Sequence, residues 1–262
     1  MITSPHNPRI KLVRALAGRS KERREAGVFL AEGVRLVEDA FSANWPFQFV
    51  LFSADVSNRA RKLIEQMRAD TVEIEEVSPA VLRAASETET TQGILAVLKL
   101  PDGQMIRQTP LNFLLIPDQI RDPGNLGTII RTAAAAGAQA ILIPPETTDP
   151  FAPKVVRAGM GAHFRIPIYT LTWDEIRSRA EGITIFLADS NAEAGISCWR
   201  ADFRQPLALI IGGEADGASQ PAKVLTNLVV NIPMPGKIES LNAAMAGAIL
   251  MFEIVRQRSE VL

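Results

Sequence analysis

Glycine and polar residues that could bind a ligand follow two short apolar runs near the C-terminus. The runs Leu207–Ile211 and Leu228–Ile232 end abruptly, the first at Gly212–Glu214 and the second at Pro233–Met234. Short runs rich in Ile, Leu and Val, without polar alternation, are typical of strands that are buried on both faces. Since open α/β sheets bind ligands in the crevice outside the carboxyl ends of their strands, these loops predict a binding site.

A third polar segment, Ser240–Asn242, precedes a long run with helical spacing. Its serine is predicted to be the N-cap of that helix, because a hydroxyl there can accept a hydrogen bond from the free N–H groups of the first turn. Asn242 would then be a first-turn residue. Two strand ends and one helix start are therefore expected to face a common crevice.

The segment Asp118–Leu126 follows another apolar run and leads into the alanine-rich stretch Thr128–Ala136. The start of a helix has unpaired N–H groups and a positive dipole end, so an anion such as a phosphate group would suit it. Asn125 offers a donor and an acceptor, and Arg131 could extend its guanidinium towards the same crevice. Taken alone, an arginine in an alanine-rich helix is more readily explained as an ordinary surface residue.

The elements that must position these residues alternate between strands and helices from residue 111 onwards. The predicted strands cover 111–116, 139–143, 165–170, 183–188, 207–211 and 228–232. The predicted helices cover 125–136, 153–160, 173–180, 219–225 and 240–257. This alternation predicts an α/β domain whose parallel sheet is covered on both faces.

The N-terminal part of the chain predicts a smaller α/β unit. It has strand patterns at Phe47–Phe52, 71–77 and Ile94–Leu100, with helical patterns between them. Residues 101–110 have proline at both ends, glycine within and no apolar period, which is typical of a linker. We therefore predict two domains, residues 1–104 and residues 105–262.

Basic residues concentrate at the N-terminus, although the whole chain has a formal net charge of −1. Residues 1–35 contain eight Lys or Arg against three Glu. Such a cluster could contact phosphates, but a solvated helical face with Glu–Arg pairs explains it equally well. The candidate RNA-binding residues are Arg9, Lys11, Arg19, Lys21, Arg23, Arg24 and, from the second domain, Arg131.

Composition argues against several other classes of protein. The single cysteine excludes an internal disulfide and a Cys-based zinc cluster. Because the chain also has only two histidines, no metal is expected. His163 and Cys198 have no acidic residue at a known catalytic spacing, and both are predicted to be structural. No apolar run approaches the ~18 residues that a membrane span needs, and the N-terminus has no apolar signal core. A cytoplasmic protein without a membrane partner is expected.

Three segments together resemble the signature motifs of the SpoU/TrmH family, which are RNA 2′-O-ribose methyltransferases that use S-adenosylmethionine. The matching residues, in chain order, are Asp122–Gly127 with Arg131–Ala133, then Gly212–Glu214 with Gly217, then Ile232–Met234 with Ser240–Asn242. The resemblance covers roughly residues 111–258. A weaker resemblance, at Ser4, Asn7-Pro8 and Phe29–Gly33, is to the ribosomal-protein L30e-like substrate-binding domain of many family members.

The resemblance implies a fold, a partner and an assembly. The C-terminal domain is expected to form a deep trefoil knot and a homodimer, and the N-terminal domain is expected to bind RNA. Ribosomal RNA of the 23S type is the favoured substrate, because an L30e-like domain is common among rRNA enzymes, and tRNA is the alternative. The final helix also favours a dimer on its own pattern, since its apolar positions wrap most of its circumference.

The resemblance also implies residue roles. The cofactor-binding positions are Gly212, Gly213, Ile232, Met234, Leu241 and Asn242, and the catalytic positions are Arg131, Asn125, Glu214, Ser240 and Asn242. The family's arginine is often described as deprotonating the ribose 2′-hydroxyl. A guanidinium pKa above ~12 makes a neutral arginine scarce, so a charged Arg131 would rather hold a phosphate and stabilise the developing alkoxide. Ala244 stands where the family usually has serine.

Two other functions are compatible with parts of this sequence. Glycine loops between strands and helices also occur in dinucleotide-binding oxidoreductases, but Gly124 and Gly127 do not complete a G-x-G-x-x-G pattern. A non-catalytic RNA-binding protein is the remaining alternative, and the intact Asn125, Arg131 and Asn242 argue against it.

Overall fold

The computed structural model contains eleven strands, ten α-helices and a 3₁₀ helix (Ala162–Phe164) in its described residues, which are 1–86, 91–101, 111–190, 195–213, 217–236 and 238–259. Contacts divide the chain into two units. The first unit is Met1–Pro101 with Phe151–Phe164, and the second is Asp102–Pro150 with Arg165–Leu262. Most of the predicted linker, residues 102–110, lies outside the described residues, as does the predicted site residue Glu214.

The first unit contains a four-stranded mixed sheet in the order β1-β4-β2-β3. Its central strand β4 is antiparallel to both neighbours, while β2 and β3 are parallel. The strands are β1 (Val28–Glu32), β2 (Phe47–Phe52), β3 (Ile74–Glu76) and β4 (Ile94–Lys99). The helices are α1 (Pro8–Gly18), α2 (Ser20–Ala26), α3 (Val34–Ser42), α4 (Asn58–Ala69) and α5 (Pro79–Ala85).

One segment of the predicted second domain packs in the first unit. Phe151 and Phe164 both contact Phe29 of β1, with ring centroids 4.9 and 6.5 Å apart. Helix α7 (Pro153–Gly159) lies between these two aromatic residues in the chain. Because the aromatic contacts bury apolar surface against the first sheet, the unit is built from two separate stretches of sequence.

The second unit contains a seven-stranded sheet in the order β7-β6-β5-β10-β8-β11-β9, and every neighbouring pair is parallel. The strands are β5 (Phe113–Pro117), β6 (Ala140–Ile143), β7 (Ile168–Thr170), β8 (Thr184–Ala188), β9 (Ile196–Ser197), β10 (Leu207–Ile211) and β11 (Leu228–Asn231). The six predicted strands are all present. The edge strand β9 was not predicted, because two residues are too short to show a pattern.

Helices alternate with most of these strands, and α10 follows the last one. They are α6 (Pro123–Ala135), α8 (Trp173–Arg179), α9 (Gln220–Leu225) and α10 (Ala243–Ser259). Every residue of the central strands β5 and β10 is buried, which explains why both read as uninterrupted apolar runs. Among the described residues, no helix is long and apolar enough to cross a membrane.

The prediction that Ser240 caps the last helix is wrong. Helix α10 begins at Ala243, and the Oδ1 atom of Asn242 accepts hydrogen bonds from the N–H groups of Ala244 and Met245, at 3.0 and 3.2 Å. Asparagine caps helices as well as serine does, and Asn242 is closer to the first buried apolar positions. Ser240 is thereby left in the preceding loop.

Helix α6 begins two residues earlier than predicted. The Oδ1 atom of Asp122 accepts a hydrogen bond from the N–H of Asn125 at 2.8 Å, and Pro123 occupies the first helical position. Proline is favoured there because its missing N–H would have no partner inside the helix anyway. Asn125 therefore lies in the first turn of α6, where the cap fixes its backbone.

Candidate active site

A cleft of about 730 Å³ lies at the carboxyl ends of β8, β10 and β11 in the second unit. Most of the predicted cofactor-binding residues line it, namely Gly212, Gly213, Ile232, Met234 and Leu241. Ser240, predicted as catalytic, lines it as well. Its volume falls within the ~300–1,000 Å³ of small-molecule sites, and its position is the strand-end crevice that the sequence predicted.

The β10 loop approaches its own backbone so closely that only glycine fits at its start. A Cβ atom on Gly212 would lie 2.8 Å from the backbone nitrogen of Ala218 and 2.9 Å from the carbonyl carbon of Gly217. Gly212 does not have a positive φ, so crowding rather than backbone strain requires glycine here. The N–H of Gly213 donates to the carbonyl oxygen of Gly217 at 3.1 Å and closes the loop.

The loop after β5 supports the β10 loop from the opposite side. A Cβ atom on Gly213 would lie 2.4 Å from the carbonyl oxygen of Gln119. The neighbouring Asp118 is fully buried, and its Oδ2 atom accepts a hydrogen bond from the N–H of Ser219 at 2.6 Å. Its Oδ1 atom has no hydrogen-bond partner among the described residues. Burial raises the pKa of Asp118, and the Ser219 contacts offset part of this rise.

One amide side chain connects the first and third sequence segments. The Nδ2 atom of Asn242 donates to the Oδ1 atom of Asn125 at 3.1 Å. Because the Oδ1 atom of Asn242 caps α10, its amide orientation is fixed and Nδ2 must point away from that helix. Two predicted catalytic residues, 117 positions apart in the chain, are thus brought into contact.

Arg131 lies on the exposed surface of α6, six residues after Asn125. Its guanidinium makes no ion pair with any residue that the structure describes, so it can bind a substrate anion. It is not among the residues that line the cleft. The structure therefore brings Asn125 and Asn242 together, whereas Arg131 lies further along α6 and outside the cleft lining.

Several charged residues of the cleft were not recognised in the sequence. Asp189, Lys223 and Glu239 all line it. Asp189 could have been found by the rule that identified Gly212, because it directly follows the buried strand β8. Lys223 lies on the short helix α9, and nothing in its local sequence separates it from other surface lysines.

The predicted RNA-binding residues of the first unit do not all remain available. Arg23 is buried and donates a hydrogen bond to the carbonyl oxygen of Leu16, so it stabilises the α1–α2 corner instead of offering a charge to phosphate. Arg9 forms ion pairs with Glu73 and Glu75. The exposed members of the set are Lys11, Arg19, Lys21 and Arg24.

Cys198 and His163 are both buried. Burial raises the pKa of the Cys198 thiol to about 11, so it would not supply a thiolate nucleophile near neutral pH. His163 packs edge-on against Phe151, with ring centroids 5.8 Å apart. Within the described part of the chain, no group of three His, Cys, Asp or Glu residues could hold a metal ion.

Two family models match the chain. Residues 112–252 match the SpoU rRNA Methylase family, and residues 7–96 match the MRM3-like substrate binding domain. A 23S rRNA (uridine(2479)-2′-O)-methyltransferase of Streptomyces viridochromogenes is 33% identical over 98% of this chain and 92% of its own length. A 23S rRNA (guanosine(2553)-2′-O)-methyltransferase of Bacillus subtilis is 34% identical over 97% of this chain and 98% of its own length.

A solved structure shows the same fold with a ligand. The AdoMet-bound rRNA methyltransferase from Sinorhizobium meliloti superposes with a TM-score of 0.85 and 32% sequence identity, over 97% of each chain. AdoMet is S-adenosylmethionine, the cofactor that the sequence motifs implied.

We predict that Gly212→Val abolishes binding of S-adenosylmethionine, because the valine side chain would collide with the backbone at Gly217 and Ala218. Gly236→Val is the matched control, since a Cβ atom there meets nothing within 4 Å. Isothermal titration calorimetry measures the affinity, and circular dichroism confirms that both variants fold. A folded Gly212→Val protein with wild-type affinity would show that the site lies elsewhere.

We predict that Asp118→Ala lowers the free energy of unfolding by about 1–3 kcal/mol, because the Ser219 N–H loses its acceptor, while Asp118→Asn keeps that acceptor. A raised pKa in the folded state means that ionisation of Asp118 costs stability at neutral pH, and that this cost disappears as the pH falls below the unfolded-state pKa. The wild type should therefore gain stability on acidification relative to Asp118→Asn. Urea denaturation at neutral and acidic pH measures the free energy of unfolding of each variant. Equal destabilisation by Asp118→Asn and Asp118→Ala at neutral pH would contradict the role of the Ser219 hydrogen bond. An equal pH dependence of the wild type and Asp118→Asn would contradict the raised pKa.

Proposed function

Because the chain belongs to the SpoU rRNA methylase family, we propose that it transfers a methyl group from S-adenosylmethionine to a ribose 2′-hydroxyl of ribosomal RNA. The chain is an S-adenosylmethionine-dependent RNA methyltransferase, and relatives that match nearly its whole length are 23S rRNA enzymes, which favours rRNA over tRNA. The observation that carries the proposal is the contact between Asn125 and Asn242 beside a cleft whose lining matches the family's cofactor loops.

The cleft fits this cofactor in size and chemistry. The crowding at Gly212 excludes a side chain at that position. Ile232 and Leu241 also line the cleft, and the family resemblance implies that their main chain contacts the cofactor. Asp189 and Lys223 offer opposite charges to the amino and carboxylate groups of the methionine part. When bound there, S-adenosylmethionine supplies a methyl group activated by the positive sulfur.

The residues of this chain would position the ribose and stabilise its charge. Asn125 and Asn242, held by their mutual hydrogen bond, offer amide groups to the ribose or its phosphate. Arg131 would hold a phosphate of the target nucleotide and stabilise the negative charge that develops on the 2′-oxygen as its proton passes to solvent water. Holding the hydroxyl close to the cofactor site contributes much of the rate by itself. The predicted role of Glu214 lies outside the described residues.

We propose a division of labour between the two predicted domains. Residues 1–104 would bind the RNA substrate through the exposed Lys11, Arg19, Lys21 and Arg24, in an L30e-like fold. Residues 105–262 would carry the transfer reaction. The four-stranded sheet flanked by helices and the match to a substrate-binding domain support the first assignment. The segment Phe151–Phe164 would belong structurally to the RNA-binding part.

Three further features are proposed from the family resemblance. The C-terminal segment that leads into α10 would thread through a loop and form a trefoil knot. Two chains would associate through α10, on which Met245 and Phe252 are 58% and 51% exposed. Large apolar side chains that remain exposed on one helix are a common mark of a subunit interface. The proposed enzyme would work in the cytoplasm.

We predict that deletion of the gene removes one 2′-O-methyl group from rRNA, and that Arg131→Ala fails to restore it. Arg131→Ala should bind S-adenosylmethionine with nearly wild-type affinity, because its side chain does not line the cleft. Arg177→Ala, which removes an exposed arginine from α8, is the matched control. Ribose-methylation mapping and tritium transfer to rRNA measure the outcome. Normal methylation by Arg131→Ala would reject its role, and an unaltered rRNA in the deletion strain would reject the substrate.

We predict that the protein is a homodimer at micromolar concentration and that a Met245→Asp/Phe252→Asp variant is monomeric. Burying two carboxylates in the interface would cost more free energy than the association of the two chains provides. Val224→Asp is the control, since Val224 is 65% exposed but lies on α9. Sedimentation equilibrium measures the mass. An active wild-type monomer would exclude the proposed dimer.

A further inference from the structure

The first unit has a second cleft, of about 400 Å³, that the proposed methyl transfer does not use. It lies between the start of α3, the loop after β2, the start of α5 and the residues that precede β4. Its volume is within the ~300–1,000 Å³ of small-molecule sites. A cleft of this size could accept one nucleotide but not a stretch of duplex.

Two glycines fix the backbone at this cleft, Gly93 as a lining residue and Gly33 as the neighbour of the lining residue Val34. Gly33 and Gly93 have φ values of 100° and 76°, which residues with side chains rarely adopt. A Cβ atom on Gly93 would lie 2.7 Å from the hydroxyl of Ser53. Beside Gly33, the Oε1 atom of Gln92 accepts a hydrogen bond from the N–H of Val34 at 2.9 Å. The side chains of Ser53 and Gln92 are thus held in place without a ligand.

The polar groups that remain for a ligand have a defined pattern. Asp55 accepts a hydrogen bond from the Ser53 hydroxyl through Oδ1 at 2.5 Å, and this bond fixes its carboxylate at the cleft. The Ser53 hydroxyl and, less strongly, the charge of Arg83 lower the pKa of Asp55, so it stays ionised and can only accept. The Oε1 atom of Gln92 is occupied by Val34, so its Nε2 can donate.

Arg83 adds a positive charge to the same cleft. Its side chain is exposed, and no ion pair of Arg83 is found among the residues that the structure describes. Helix α5, which carries Arg83, shares an apolar core with the basic helix α1. Arg83 therefore belongs to the same packed unit as the exposed lysines and arginines of α1 and α2, and a phosphate group is a ligand that its charge would attract.

We propose that this cleft binds one unpaired guanine nucleotide of the RNA substrate, with its phosphate on Arg83 and its base on Asp55 and Gln92. The Watson–Crick edge of guanine has two neighbouring N–H donors for a carboxylate and one carbonyl acceptor for an amide N–H. No other RNA base presents two donors side by side, followed by an acceptor. Sequence-specific RNA recognition generally reads unpaired bases on this edge. The inference rests on the proposed function in taking RNA as the partner.

The cleft can be tested with free nucleotides. Saturation-transfer-difference NMR titrations with GMP, AMP, CMP and UMP are run on the full chain with excess S-adenosylhomocysteine, which occupies the cofactor cleft. GMP should bind with the lowest Kd. Asp55→Asn and Arg83→Ala should each raise that Kd about tenfold, the effect of losing one good base or phosphate contact. Lys62→Ala, which removes an exposed charge from α4 outside the cleft, should leave it unchanged.

Methyl-transfer kinetics test the same residues in the reaction. Asp55→Asn and Arg83→Ala should raise the KM for RNA about tenfold and leave kcat at saturating RNA unchanged, because neither residue belongs to the proposed active site. The affinity for S-adenosylmethionine should not change. A purely structural defect would instead lower thermal stability and kcat together.

The outcomes separate this inference from the proposed function. Absence of GMP binding, equal affinity for GMP and UMP, or an unchanged GMP Kd in both variants would overturn the guanine site. An unchanged KM for RNA in active variants would also overturn it, while the methyltransferase function would stand. If the wild type does not methylate rRNA, the proposed function fails, and the NMR titrations still decide whether the cleft binds GMP.

Discussion

The close packing of the β10 loop against the end of β5 is the constraint on which the rest of the site depends. There is no room for a side chain at Gly212 or Gly213, because the backbone of Ala218 and the carbonyl oxygen of Gln119 occupy the space. Asp118 holds the start of α9 against the same strand end. A cleft wall made of main chain therefore remains open to a ligand, whereas any Cβ would force the two loops apart.

The buried carboxylate of Asp118 carries a cost that the surrounding structure must offset. Desolvation disfavours the ionised form of the carboxyl group, and the hydrogen bond from the Ser219 N–H offsets only part of this unfavourable free energy. A buried carboxylate with such a cost usually has a positioning role, because its short hydrogen bond to a backbone N–H fixes where that backbone segment lies and how it is oriented. Here it fixes the helix start that borders the cofactor cleft.

A single asparagine side chain connects helix formation to the proposed chemistry. Asn242 caps α10 with its oxygen and contacts Asn125 with its nitrogen, so the helix cannot form in this way without orienting the active-site amide. Gln92 has a similar double role in the first unit, where its Oε1 atom accepts a hydrogen bond from the N–H of Val34 and its Nε2 atom can donate to a ligand in the second cleft. In both places a backbone N–H sets which way a side-chain amide points, and this prepares a binding site before the ligand arrives.

Local patterns in the sequence were sufficient to predict the parallel sheet, its strand-end crevice and several of the residues that line it, although not its charged residues Asp189, Lys223 and Glu239. Buried strands require runs of apolar residues and close backbone contacts require glycine, so both features can be recognised from a short stretch of sequence. The sequence could not decide between Ser240 and Asn242 as the cap of α10, because both side chains can accept the same N–H groups. It also could not show that Arg23 is buried or that Phe151 and Phe164 pack on Phe29. Those outcomes depend on which distant residues fill the space beside them, and only the tertiary structure decides that.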